Sequence, residues 1–283
     1  MSTTLFISDL DGTLLNADSK VSDASVSLIN EAVAKGALFS IATARTPATV
    51  STLMSRIQTQ LPYIVMTGTA IWDASSGLYR HAVFIDPRAA SGIMRILRRH
   101  RLPAFVYYLK EETIQVYHMG PLSGLERDFI RQRDNTPYKI FHIPEDGESV
   151  LPDTLDNILL FYAIQPSASV EAVYREICLM EGCNPLFYHD IFGPETGIMD
   201  IFSTRASKAL AMEWLKRSCG ADRVVAFGDN INDLPMLRAA DVAVAVGNAL
   251  PEVKAAADIV IGPNTEDSVA RFVYDHIDGD ISL

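Results

Sequence analysis

The sequence predicts an α/β protein whose parallel-sheet core is interrupted midway by an α+β insert. Three observations predict it. Short apolar runs alternate with helix-period segments from Leu5 to Met66, the rhythm of strands joined by helical crossovers. Between about residues 84 and 188 the rhythm changes to paired strands with short turns. After Asp200 the first rhythm returns and runs to the end.

Taken in order, Leu5-Phe6-Ile7 is a fully apolar run and predicts a buried parallel strand. Ser22 stands where it can cap a helix with Val26, Ile29 and Val33 on one face, and Gly36 ends it. Residues 38–42 form the second strand. The run Thr43-Ala44-Arg45-Thr46-Pro47 leads into a helix, and residues 63–66 form the third strand. Residues 70–73 and 78–81, separated by Ala74-Ser75-Ser76-Gly77, predict a hairpin. The insert reads as a helix (88–101), two strands around Lys110-Glu111-Glu112, a helix (123–134), then strands and a helix (169–181), with its strands antiparallel. A loop is expected over 143–156, where Pro144, Gly147 and Pro152 fall. A helix over 207–218, strands over 223–227, 242–246 and 259–261, and a final helix complete the chain. The expected division is therefore 1–83 with 189–283 as the core and 84–188 as the insert.

Composition narrows the function. With 283 residues, 48% of them apolar and 21% charged, the chain resembles an ordinary globular protein with room for two domains. No apolar stretch approaches the ~20 residues that span a bilayer, and the N-terminus lacks a signal-peptide pattern, so no membrane partner and a cytoplasmic location are expected. Cys178, Cys183 and Cys219 have neither disulfide-framework nor metal-ligand spacing. A net charge of −11 argues against a nucleic-acid partner. It leaves an anionic small molecule open, because a bound cation reverses the local field. The basic run from Arg95 to Arg101 falls late in a predicted helix, where cations complement the dipole.

The chemistry concentrates at strand ends, where ligands bind in open α/β sheets. Asp9-Leu10-Asp11-Gly12-Thr13-Leu14 follows the first strand, Thr43 the second, and Gly228-Asp229-Asn230-Ile231-Asn232-Asp233 a late one. Lys208 opens the helix just before that late strand, an unfavourable position for a cation unless acids face it. Carboxylates with a hydroxyl, an amide and one lysine suit a hard cation and a phosphate. Plainer readings stand beside this: the first motif as a solvated turn, Thr43 as a cap for the next helix, Asp233 as a helix-start acid.

These motifs resemble, in order and nearly end to end, the four motifs of the haloacid dehalogenase-like superfamily. More narrowly, the chain is similar to its Cof-type phosphatases, which carry a large cap between the second and third motifs. The resemblance implies a Rossmann-like core and a cap domain. It implies Asp9 as a nucleophile forming an aspartyl-phosphate, and Asp11 as the acid and base. Thr43, the Ala44 amide, Asn232, Lys208 and the Leu10 backbone would bind phosphate, with Lys208 also balancing charge on the nucleophile. Asp9, the Asp11 backbone carbonyl, Asp229 and Asp233 would hold Mg²⁺, the last directly or through water. Three positions depart from the family pattern: Ala44 and Ala209 stand where glycine is usual, and Thr67-Gly68-Thr69-Ala70 where Asn-Gly-Ala is usual.

The expected function is a Mg²⁺-dependent phosphatase of small phosphorylated metabolites, with sugar phosphates the leading class. A phosphomutase and a catalytically silent phosphate-binding regulator are the alternatives. Tyr107, Tyr108, His118, Tyr188 and His189 in the insert are candidates to face a substrate, with buried strand positions as the default.

Overall fold

A computed structural model of the chain describes residues 3–133, 136–143, 148–190, 193–277 and 281. The chain divides into two compact units, one built from 1–81 and 206–283, the other from 82–205.

In the first unit β1 (Thr4–Ser8) is buried along its whole length. α1 (Asp23–Ala34) begins at Ser22, whose hydroxyl accepts from the Ser25 amide, satisfying one of the helix's free N–H groups. β2 (Leu38–Ile41), α2 (Pro47–Leu53), β3 (Tyr63–Val65), β4 (Ala70–Asp73) and β5 (Leu78–Ala82) follow.

The second unit contributes α3 (Pro87–Arg99), β6 (Phe105–Lys110), β7 (Thr113–His118), α4 (Gly124–Arg131), β8 (Lys139–His142), β9 (Ile158–Pro166), α5 (Ser167–Ile177), β10 (Cys183–Asp190) and β11 (Gly193–Ser203). The chain then returns to the first unit with α6 (Lys208–Cys219), β12 (Arg223–Gly228), α7 (Leu234–Ala239), β13 (Val242–Ala245), α8 (Pro251–Ala256), β14 (Ile259–Val260) and α9 (Ser268–Asp275).

The first unit's main sheet is parallel throughout, in the order β14-β13-β12-β1-β2. Phe6, Ile7, Phe39, Val225, Phe227 and Val244 are fully buried in it. α1 packs with α9, and α6 with α7. The sheet order places β1 and β12 side by side, so the loops after them emerge from one edge as neighbours. The predicted hairpin forms as β4 and β5 and is joined by β3 in a three-stranded sheet. β3 touches β2's end through a parallel bridge between Ala42 and Ile64.

The second unit is a six-stranded sheet in the order β10-β11-β9-β6-β7-β8. Ile93, Leu97, Val106, Phe161, Val173 and Ile201 join α3 and α5 to one face in a single buried cluster. On the other face α4 lays Phe129 against Phe105 and Tyr162, with ring centroids 5.2 and 5.0 Å apart.

Two expectations change here. The unit runs to Arg205 rather than ending near 188, because β11 is hydrogen-bonded between β9 and β10 and cannot leave that sheet. The insert's strands are antiparallel except one pair: β8 runs parallel to β7. Part of the expected 143–156 loop, residues 144–147, lies outside the described residues. Of the insert side chains singled out, Tyr107 and His118 are buried. The His118 ring bonds Glu126 Oε1 and the Gly120 carbonyl. Tyr188 donates to Asp200 at 2.8 Å, His189 meets Ser167, and Tyr108 meets Thr154. No helix among the described residues is long and apolar enough to cross a membrane.

Candidate active site

The site is assembled at the carboxyl ends of β1 and β12 with the first turn of α6. Three carboxylates, Asp9, Asp229 and Asp233, bring oxygen atoms within 4.8 Å of one another. The Lys208 ammonium sits among them, 2.6 Å from Asp9 Oδ1 and 2.7 Å from Asp233 Oδ1. Lys208 is 2% exposed and Asp233 0%, so this is a buried ion cluster. It answers why a lysine occupies the first turn of α6: the unfavourable helix field is outweighed by two buried anions at hydrogen-bond distance.

The electrostatics follow from that geometry. Burial pushes the Asp9 carboxyl up to about 8, Lys208 opposes the shift, and Asp233 and Asp229 add to it. Burial works against the Lys208 ammonium, but Asp9 and Asp233 outweigh it and hold its pKa above the ordinary lysine value. Burial likewise raises Asp229, to about 6, against the hydroxyl of Thr13, which donates to Asp229 Oδ1 at 2.8 Å. Three acids around one lysine leave a surplus of negative charge, and the donors are all hard oxygens. Such a set fits a divalent cation of the Mg²⁺ kind.

Local sequence explains how the loops come so close. Gly12 has φ +76°, and a Cβ there would lie 2.4 Å from Asp229 Oδ2, so only glycine fits. Asp233 braces its own loop, since Oδ2 accepts from the Asp229 and Asn230 amides, both at 3.1 Å. Asp233 is thus a helix-start acid, closing a capping box with Asn230, and at the same time a partner of Lys208. Gly68, at φ +86°, lies against the backbone of Ser207 and Lys208, where an added Cβ would come within 2.2 Å of Ser207.

The other predicted residues sit as follows. Leu10 is fully buried, so its side chain belongs to the core. The Asp11 carboxylate stays out of the cluster and is held by Arg45, Nε to Oδ2 at 2.7 Å and Nη2 to Oδ1 at 2.6 Å. Thr43 is buried, yet its amide donates to the Ile64 carbonyl at 3.0 Å and α2 starts only at Pro47. Thr43 thus neither caps that helix nor offers its own amide at a helix N-terminus; its hydroxyl accepts from the Arg45 amide at 3.1 Å. Ala44 and Asn232 are exposed. Sequence reading assigned no role to Arg45, Thr13 or Asn248. Arg45 stands two residues after Thr43 in the same strand-end loop, the one signal that could have singled it out.

A family model described as haloacid dehalogenase-like hydrolase matches residues 6–273. The pyridoxal phosphate phosphatase YbhA of Escherichia coli (strain K12) is 27% identical over 284 residues, covering 98% of this chain and all of the relative. The 5-amino-6-(5-phospho-D-ribitylamino)uracil phosphatase YitU of Bacillus subtilis (strain 168) is 25% identical over 280 residues, covering 95% of each. Among solved structures, a haloacid dehalogenase-like hydrolase from Bacteroides thetaiotaomicron superposes with a TM-score of 0.75 at 21% identity, covering 96% of this chain and 98% of that one. The sugar phosphatase BT4131 superposes with a TM-score of 0.72 at 22% identity, covering 96% and 98%. At these identities the structures speak for the fold, and the family match speaks for descent: the chain belongs to the haloacid dehalogenase-like hydrolases, in their Cof-type branch.

Proposed function

We propose that the protein is a Mg²⁺-dependent phosphatase of small phosphorylated metabolites that works through an aspartyl-phosphate on Asp9. The observation that carries this is the Lys208 ammonium bridging Asp9 and Asp233 at 2.6 and 2.7 Å, with Asp229 completing the carboxylate cluster. A carboxylate can attack a phosphate dianion only where their mutual repulsion is cancelled, and a buried lysine against the attacking oxygen does this. Asp9, Asp229 and Asp233, with the Asp11 backbone carbonyl, are the groups that would hold the cation. When bound, the cation neutralises charge on the phosphoryl oxygens and the nucleophile alike.

The chain's own residues divide the remaining work. Asp9 Oδ attacks phosphorus and the phosphate ester bond breaks. Asp11 gives its proton to the departing alkoxide and later takes one from the water that hydrolyses the aspartyl-phosphate. Thr43 and the Ala44 amide bind phosphoryl oxygens with Asn232. Relatives that act on pyridoxal phosphate and on a phosphoribitylamino-uracil support a phosphorylated metabolite as substrate, and the sugar phosphatase among the structural neighbours keeps sugar phosphates in the range. The test is a phosphate-release screen over sugar phosphates, nucleotides and phosphorylated cofactors, with Mg²⁺ and with chelator. Release that needs Mg²⁺ is expected; release undiminished by chelator, or none from any ester, contradicts the proposal.

A further inference from the structure

Asn248 takes no part in the chemistry above, yet its side chain reaches the loop that follows β1. Nδ2 donates to the Gly12 carbonyl at 2.7 Å, while Oδ1 accepts from the Asn264 amide at 2.9 Å. Asn264 in turn donates through Nδ2 to the Leu15 carbonyl at 2.7 Å. Two side-chain amides therefore hold the 10–14 loop side by side, Asn248 at Gly12 and Asn264 at Leu15, and the Asn264 backbone amide braces the first. That loop needs holding, because Asp11 (ψ 122°) and Gly12 (φ 76°) leave the helical conformation and their backbone groups fall outside any regular ladder.

The same turn has a second grip. The Leu250 amide donates to the Asp229 carbonyl at 2.9 Å. So residues 248–250 hold the loop of Asp9 and Asp11 by a side chain and the loop of Asp229 by the backbone. The gap they fix is narrow. Thr13 Oγ1 lies 2.8 Å from Asp229 Oδ1, and Gly12 has no room for a Cβ beside Asp229 Oδ2.

We propose that Asn248 and Asn264 are positioning residues for the cation site, setting the distance between the 9–13 loop and Asp229 at which their oxygens converge. This rests on the cation reading of the cluster. Neither asparagine supplies a ligand atom. Asn248 acts on the Gly12 carbonyl, next in the chain to the Asp11 carbonyl, and the Asn264 side chain acts on the Leu15 carbonyl while its backbone amide braces Asn248. Partners that orient ligands in this way change metal affinity by about 10–100-fold when removed.

The test is calorimetric titration of the substrate-free protein with Mg²⁺. It compares wild type with Asn248→Ala, Asn264→Ala, their double variant and the remote core variant Ile29→Val, whose site is fully buried in α1. The two single asparagine variants are expected to bind about tenfold or more weakly. The double variant should bind more weakly than either single variant, because the two side chains hold different carbonyls and alanine keeps the Asn264 backbone amide that braces Asn248. Ile29→Val should bind as wild type does, even if its melting temperature falls further. Wild-type affinity in either alanine variant, or an equal loss in Ile29→Val, overturns the proposal; if one alanine variant fails to fold, the other still decides. A wild-type protein that binds no Mg²⁺ would remove the cation reading itself, and the positioning role with it.

Discussion

Arg45 closes a two-pronged fork on Asp11, with Nε and Nη2 each on a different carboxylate oxygen, at 2.7 and 2.6 Å. A guanidinium fork fixes the plane of a carboxylate in a way that an ammonium point charge cannot. In turn the Asp11 contact raises the Arg45 pKa, so the pair is a firm one. Both Asp11 oxygens are thus occupied in the substrate-free protein. The proposed proton transfer requires the fork to open at one oxygen while the other stays held, which would keep Asp11 oriented toward the leaving group.

The consequence is measurable through the leaving group. Alkyl phosphates need a proton delivered to the departing oxygen, whereas p-nitrophenolate leaves without one. Arg45→Lys and Arg45→Ala should lower kcat on an alkyl phosphate by about 10²-fold while costing p-nitrophenyl phosphate far less. Equal losses on both esters would mean that Arg45 does not act through Asp11.

Among the described residues Lys208 is the only cation against two of the three clustered acids, and it is buried with them. Removing one partner of such a pair leaves charge stranded in a low-dielectric site. Lys208→Met should therefore cost the metal-free protein about 3–5 kcal/mol in chemical denaturation as well as abolish turnover. Loss of turnover at unchanged stability would show that the acids do not depend on it for burial.

Backbone strain stands beside the site. Met66 and Thr67 both have positive φ, 51° and 57°, which for a β-branched threonine is a costly left-handed conformation. The strain is held in place by hydrogen bonds from Met66 N to Arg45 O (3.0 Å) and Thr67 N to Thr43 O (2.9 Å). Asparagine tolerates this region, so Thr67→Asn should stabilise the protein by about 1 kcal/mol and raise Tm by about 2–4 °C. A lower Tm would show that the threonine side chain contributes more than its backbone costs.

In the second unit Asp200 stands in one row with Tyr162 and Phe105 across the sheet. Burial raises its carboxyl to about 6, against a hydrogen bond from Tyr188. A folded pKa above the unfolded value of 3.8 means that the native state binds more protons between those two values. Stability from this group is therefore full below about pH 4 and lost as pH rises through about 6. Asp200→Asn should raise Tm at pH 8, by at most about 3 kcal/mol of added stability, and change little at pH 4. A gain of equal size at both pH values would place the effect elsewhere.

How much of this could be read beforehand depended on distance along the chain. The 9–14 motif and the 228–233 motif are local, and their strand-end positions follow from the apolar runs before them. Lys208 was legible because a lysine in a first helical turn needs an acid partner. The Arg45 fork spans 34 residues and the Asn248 contact to Gly12 spans 236, and nothing in either segment encodes the other's approach. Thr43 stands at the expected strand end, but the amides after it open no helix there, because Pro47 rather than the 43–46 run begins α2. The direction of β8 was hidden for a simpler reason: a strand's alternation is the same whichever way its neighbour runs.

Covalent catalysis through Asp9 leaves a trappable intermediate. The Asp11→Asn variant, mixed with p-nitrophenyl phosphate and Mg²⁺ and quenched in acid, should accumulate phosphorylated protein, since departure of this phenolate needs no proton while hydrolysis of the intermediate needs the Asp11 base. Mass analysis of its peptides should place a single phosphoryl group on Asp9. Release of p-nitrophenol with no phosphorylated protein at any quench time, or a phosphoryl group on another residue, would contradict covalent catalysis through Asp9.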